Sequence, residues 1–208
     1  MMIELAVRMR NEKIDEPAFL AAKTKAVQAL VSSWGIGPER EFQPFLNSPD
    51  QPDKVYIGLT RYSGYWAMFC SMFNIRLLMN LPKFIKMQNI ITGVFLKSED
   101  KDFDYVNFGK GDNITEFAVI RPNGITEKEL RQERAKYLMS LENEQGVVGV
   151  HPFKSLWGLK NANVLVHCVI YQDREAYNEF KKRVDLSYVA DFTKKTTPLI
   201  ISSCTNIK

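Results

Sequence analysis

IELAV at residues 3–7 and TEFAV at residues 115–119 are one motif written twice. Glu4, Ala6 and Val7 of the first match Glu116, Ala118 and Val119 of the second. Downstream, QPFL at residues 43–46 aligns with HPFK at 151–154, and VYIGLTRY at 55–62 aligns with VLVHCVIY at 164–171. Phe84 then falls on Phe192. Each match is thin alone. Together they keep one order and a spacing of roughly 110 residues, the mark of a tandem duplication.

Periodicity gives each copy the same elements. Ile3, Leu5, Val7 and Met9 alternate with Glu4, Ala6, Arg8 and Arg10, a strand with one apolar face. Asp15 caps a helix that has Pro17 in its first turn, where the missing N–H costs nothing. Phe19, Ala22, Ala26, Val27, Leu30, Val31 and Trp34 recur at helical spacing, and Gly35 and Gly37 end the run. Strands are expected near Glu41–Leu46 and Val55–Tyr62 around the turn-rich NSPDQPD, then a helix placing Trp66, Phe69, Phe73 and Leu77 on a core side. Pro82 should break or restart that helix, and Ile90–Leu96 closes the unit. The second copy repeats this with strands near Ile114–Ile120, Val148–Leu156, Val164–Tyr171 and Leu199–Ser203. Its helices are capped by Thr126, boxed with Glu129, and by Asp173, with a break near Asp185. The expected division is a first unit 1–97, a polar linker 98–113 and a second unit 114–208.

The fold class is therefore α+β, two tandem βαββαβ units. In such a unit the helices cover only one sheet face. Val164, Val166, Cys168 and Ile170 alternate with Leu165, His167, Val169 and Tyr171, so both faces of that strand are largely apolar and need cover. The sister unit is the simplest lid, sheet against sheet.

The 208 residues are 45% hydrophobic and 25% charged, with a net charge of +4, so the chain can bury a core without staples. Lys and Arg are interspersed with acids, which argues against nucleic acid as a partner. Cys70, Cys168 and Cys204 form no CxxC pair and read as free thiols in a reducing compartment, so a cytoplasmic location is expected. The start MMIELAVRMR enters a strand without a signal-peptide core, and the stretch 65–81 is too polar to span a bilayer, so no membrane partner is expected. No nucleotide loop, metalloprotease helix or nucleophile elbow is present, and the two histidines suggest no metal site.

The duplicated order resembles the dimeric α/β barrel superfamily of ferredoxin-like units, and more narrowly its antibiotic biosynthesis monooxygenase-like group. VLVHCVIYQDREAYNEFKK, residues 164–182, is similar to that group's strand ending at an aromatic and followed by an acid-capped helix. The first unit departs from it, since SGYWAMFCSMF at 63–73 has no acidic helix start. The resemblance implies a dimeric-α/β-barrel-type body, a small aromatic ligand, oxidation without a cofactor, and compatibility with homo-oligomers.

Candidate site residues follow. His167, placed on the barrel-interior face near Tyr171, could transfer protons near neutral pH; a hydrogen-bonded core imidazole is the structural alternative. Arg61 could orient an anion, or be a solvated strand-end charge. Tyr62, Tyr65 and Trp66 gather where a strand meets a helix and could stack a flat substrate, although Trp66 also fits plain core spacing. Trp157 and Asn161 stand in a loop, WGLKNAN, that could border a pocket or only clamp itself. His151 reads as structural. Three functions remain: a cofactor-independent oxygenase using His167 or Tyr171, a non-catalytic binding or interaction module, and haem binding. The last is disfavoured because neither second helix carries the histidine that the resemblance requires.

Overall fold

The computed structural model describes residues 1–48, 52–160, 164–183 and 187–207. The first unit runs β1 (Met2–Arg10), α1 (Glu16–Val31), β2 (Ile36–Ser48), β3 (Val55–Tyr62), α2 (Tyr65–Ser71), α3 (Ile75–Lys86) and β4 (Gln88–Ser98). The second runs β5 (Ile114–Pro122), α4 (Glu127–Glu142), β6 (Val147–Lys160), β7 (Leu165–Tyr171), α5 (Arg174–Arg183), α6 (Ser187–Lys194) and β8 (Thr196–Asn206). The caps behave as expected: Asp15 accepts from the Ala18 amide, Asp173 from the Ala176 amide, and Thr126 and Glu129 form a reciprocal box.

The strands close into one barrel in the order β1-β3-β2-β8-β5-β7-β6-β4, all neighbours antiparallel. Each unit supplies four contiguous strands, and the seams are β2 with β8 and β4 with β6. The twin therefore covers the inner sheet face and also abolishes both open edges.

One set of alternate residues fills the interior: Ile3, Leu5, Val7, Phe42, Ile57, Leu59, Phe117, Val119, Val166 and Cys168, among others. The other set lies outside, beneath the helices. This corrects the placement of His167. Val164, Val166, Cys168 and Ile170 face inward, while His167 and Tyr171 face the helices. The interior of an eight-stranded barrel is narrow, so the more compact row, Val164, Val166, Cys168 and Ile170, takes the inside and the row with His167 and Tyr171 goes under α4–α6.

The linker is more than a polar spacer. Phe103, Tyr105 and Phe108 are buried in the barrel core. Phe108 packs edge-on against Phe42 and Phe117, and Tyr105 donates to the carbonyls of Leu59 (2.6 Å) and Pro38 (2.9 Å). His151 joins this plug against Phe103 and Phe108.

Two local readings change. The chain break in the first unit lies at residues 72–74, where Asn74 caps α3 by accepting from the Leu77 amide, and Pro82 is accommodated inside α3 on its exposed side. The matching break near Asp185 lies outside the described residues. Register also replaces one repeat match: Glu41 stands opposite Gly58 as Pro152 stands opposite His167, so Pro152 corresponds to Glu41 and not to Pro44.

Because Phe108 plugs a packed interior, Phe108→Ala is expected to cost about 3–5 kcal/mol, read as a lowered denaturant midpoint. A linker that only spans the units would leave the midpoint unchanged.

Candidate functional site under the helices of the first unit

Barrel closure leaves the polar alternates of β1, β2 and β3 beneath α1–α3. Cross-strand register sets Phe95, Glu4, Thr60 and Glu39 in one row and Gly93, Ala6, Gly58 and Glu41 in the next. Glycine and alanine make the second row a low floor. A Cβ on Gly58 would collide with Glu39 Oε1 and stand 3.0 Å from Arg8 Nη1, so these charged side chains occupy space that glycine vacates.

Glu39 is 5% exposed. Its Oε1 lies 3.7 Å from Arg8 Nη1, beyond hydrogen-bond length, and its buried Oε2 has no protein partner. Burial raises its carboxyl to about 7, helped by neighbouring Glu41 and opposed by Arg8. Beside it, Lys23 of α1 makes a buried 2.7 Å pair with Glu41. On the other flank, Tyr62 donates to Glu4 Oε2 at 2.8 Å, and burial foremost, then the Glu4 charge, pushes its hydroxyl well above the usual range. Tyr62 packs on Phe95 (5.7 Å between ring centres), and Phe95 stacks on Trp157 (4.2 Å). Met2 and Met68 complete this apolar wall.

The second unit has the same frame with different contents. Lys23 and Arg134 hold corresponding positions on α1 and α4, both buried. Arg134 donates to the carbonyls of Phe153 and Val166 and pairs with Glu99. By register Val150 replaces Glu39, Val169 replaces Thr60, and His167 replaces Gly58. Of the carboxylates, Glu116 persists in the place of Glu4, satisfied by Lys181 (2.7 Å) and Ser203 (3.2 Å).

The expected site residues therefore do not form one group. Tyr62 and Trp157 converge on Phe95. Trp157 lies in β6 and not in a loop, and Asn161 falls outside the described residues. Arg61 points to the opposite side of β3 from Tyr62, with its guanidinium 5.9 Å from the Tyr105 ring. Tyr65 and Trp66 are exposed on α2, contrary to the core reading of Trp66. His167 is packed between Tyr137 and Phe192, its Nδ1 without a protein partner. Burial, then the Arg134 charge, drops its pKa to about 3, so it is neutral at physiological pH. Tyr171 is fully buried among Leu141, Tyr177 and Phe180, and burial raises its hydroxyl far above the usual range. Proton transfer thus has a poorer footing at His167 and Tyr171 than at Glu39.

Sequence reading passed over Glu39, Arg8 and Lys23. The available signal was that βαββαβ connectivity puts both helices on one face. The polar alternates of β1 and β2 had to be that face once the apolar alternates turned inward.

Among the described residues, no group of three or more His, Cys, Asp and Glu is placed to hold a metal ion. Both histidines are on β6 and β7 of the second unit, and neither is on a helix.

No known family description matches the sequence, and no curated protein does. Solved structures do. An anthrone oxidase-like protein superposes with a TM-score of 0.73 at 10% identity, covering 100% of this chain and 92% of its own. A proposed monooxygenase of Fusobacterium nucleatum gives 0.65 at 14% identity, covering 100% and 93%. The haem complex of Rhodococcus jostii DypB gives 0.54 at 9%, covering 98% and 92%. The chain has the dimeric α/β barrel fold in tandem form, and likeness at these identities reaches no further than the fold.

Two titrations check the site's electrostatics. The folded pKa of Glu39 lies above its ordinary 4.5, so the stability carried by its protonated form is complete below 4.5 and is lost as pH rises through about 7. Glu39→Gln should escape that loss and exceed the parent by about 1–3 kcal/mol well above neutrality, while matching it near pH 4.5. A constant gap in thermal midpoint across pH would contradict this. For His167, NMR of the imidazole should show no titration through the mildly acidic range, because its folded pKa is depressed to about 3.

Proposed function

We propose that the chain is a monooxygenase-like enzyme that oxidises a small aromatic substrate without a cofactor. Its reacting site would be the helix–sheet interface of the first unit, with Glu39 as general base. The observation that carries this reading is the buried Glu39 carboxyl, whose Oε2 has no hydrogen-bond partner and whose nearest cation, Arg8, stands 3.7 Å away, poised near neutrality beside a floor of Gly58 and Ala6. A base is most effective when its pKa is close to the working pH. The fold shared with an anthrone oxidase-like protein and a proposed monooxygenase supports the reaction class.

In this reading Glu39 removes a proton from an acidic C–H or phenol of the substrate. The resulting enolate or phenolate passes one electron to dioxygen, the radical pair combines to a peroxide anion, and this takes back the proton held by Glu39 to become a hydroperoxide. Loss of water then leaves a carbonyl, so a CH2 group and O2 become C=O and H2O. Arg8 and Lys23 hold the local charge, Tyr62 and Glu4 orient the substrate's oxygen, and Phe95 and Trp157 provide the stacking wall.

A non-catalytic small-molecule binding module is the second reading. It is favoured by the closed state of the interface, where Glu39 and Tyr62 are both almost fully covered. Oxygen uptake with anthrone and with a naphthoquinol separates the two. The enzyme reading expects turnover whose kcat/KM climbs with pH through about 7 as Glu39 deprotonates, and a loss of about a hundredfold or more in Glu39→Gln. Calorimetric binding of these compounds with no oxygen uptake would establish the second reading instead.

A further inference from the structure

From Lys54 to Ser98 the chain carries Lys54, Arg61, Arg76, Lys83, Lys86 and Lys97 but no Asp or Glu; all 24 acidic residues lie elsewhere. Within this stretch α2, α3 and the turn between them direct large apolar side chains to solvent. Trp66 and Phe73 are each 66% exposed and Met79 is 76% exposed, with Phe69, Leu78 and Ile85 beside them. Trp66 stacks on Phe69, and Phe69 meets Phe73 edge-on, so the aromatics form one patch. Along α3, Leu78, Leu81, Pro82 and Ile85 line a shallow groove of about 310 Å3 with Lys86 at its edge. The opposite sides of both helices are committed inward through Ala67, Leu77 and Phe84. Scattered exposed apolar residues are ordinary, but a cluster of three exposed aromatics followed along the chain by an exposed apolar groove on the next helix marks an interaction surface.

We infer that the α2–α3 face docks on an anionic lipid surface, lying in the interface with its aromatics among the headgroups. Charge chooses this occupant. Arg76, Lys83 and Lys86 are exposed around the patch, and no carboxylate from the same stretch opposes them. A second copy of the chain, paired about a two-fold axis, would set these cations against themselves. An anionic bilayer supplies the complementary sign and an apolar layer for Trp66, Phe73 and Met79. Trp and Tyr suit that boundary because one end of each ring is polar. No helix among the described residues is long and apolar enough to cross a membrane, so the geometry is surface docking. The inference departs from the sequence-based expectation of no membrane partner, which rested on the stretch 65–81 being too polar to span a bilayer and did not address docking on its surface. It stands apart from the role given to Glu39.

Co-sedimentation of the full chain with phosphatidylcholine vesicles, with and without phosphatidylglycerol, tests it. The expected result is binding that strengthens with the anionic lipid and weakens with salt. Lys83→Glu with Lys86→Glu should remove most of that anionic preference. The triple variant Trp66→Ser, Phe73→Ser and Met79→Ser should lose about tenfold or more in affinity. All the altered side chains are exposed, so circular dichroism should be unchanged. Independently, tryptophan emission should shift to the blue on adding vesicles in the parent and lose that shift in Trp66→Phe. Absence of parent binding to either vesicle would overturn the inference. So would undiminished binding by the triple variant, or a concentration-dependent dimer that the triple variant abolishes.

Discussion

Closure of eight strands into one barrel is the constraint from which the remaining features follow. The interior of such a barrel admits a single set of alternate side chains. The compact row of each strand takes it, with Phe103, Tyr105 and Phe108 of the connector filling what remains. The excluded row has only one place left, the gap between sheet and helices. Any charge that the sequence wrote onto that row is thereby buried, whether or not it finds a partner.

The two units meet this constraint differently. In the second, Val150, Val169 and His167 fill the gap, and the remaining carboxylate, Glu116, is satisfied by Lys181 and Ser203. In the first, glycine and alanine lower the floor and Glu4, Arg8, Glu39 and Glu41 crowd over it. An unpaired buried carboxylate costs stability, and a protein that carries one holds its proton more tightly instead. Duplication allows that division: one half can keep a well-packed helix–sheet core while the other tolerates strained electrostatics. The same asymmetry appears on the outside, where α2 and α3 are apolar and cationic while α5 mixes Glu175 and Glu179 with Lys181, Lys182 and Arg183.

The duplication, the order of elements and the helix caps at Asp15, Thr126 and Asp173 were legible because they depend on local periodicity and on short-range hydrogen bonds. Which face turned inward was not legible for β7, since both rows are apolar and only packing volume separates them. His167 was misplaced for that reason. Trp66, Phe69 and Phe73 were misread because helical spacing reports a common face and is silent on what that face meets. Glu39 was missed because a charged strand residue looks solvated until the helix that covers it is in place. The QPFL and HPFK match misled because a two-residue identity carries no pairing information, whereas the strand register sets Phe42, not Phe45, in the place of Phe153.

The central claim is that Glu39 exchanges its proton near neutrality inside the folded protein. The most direct measurement is a 13C NMR titration of the Glu39 side-chain carboxyl, assigned by comparison with Glu39→Gln. The expected midpoint is about 7. A midpoint at or below the ordinary 4.5 would mean that Glu39 is solvated or fully paired, and would contradict it.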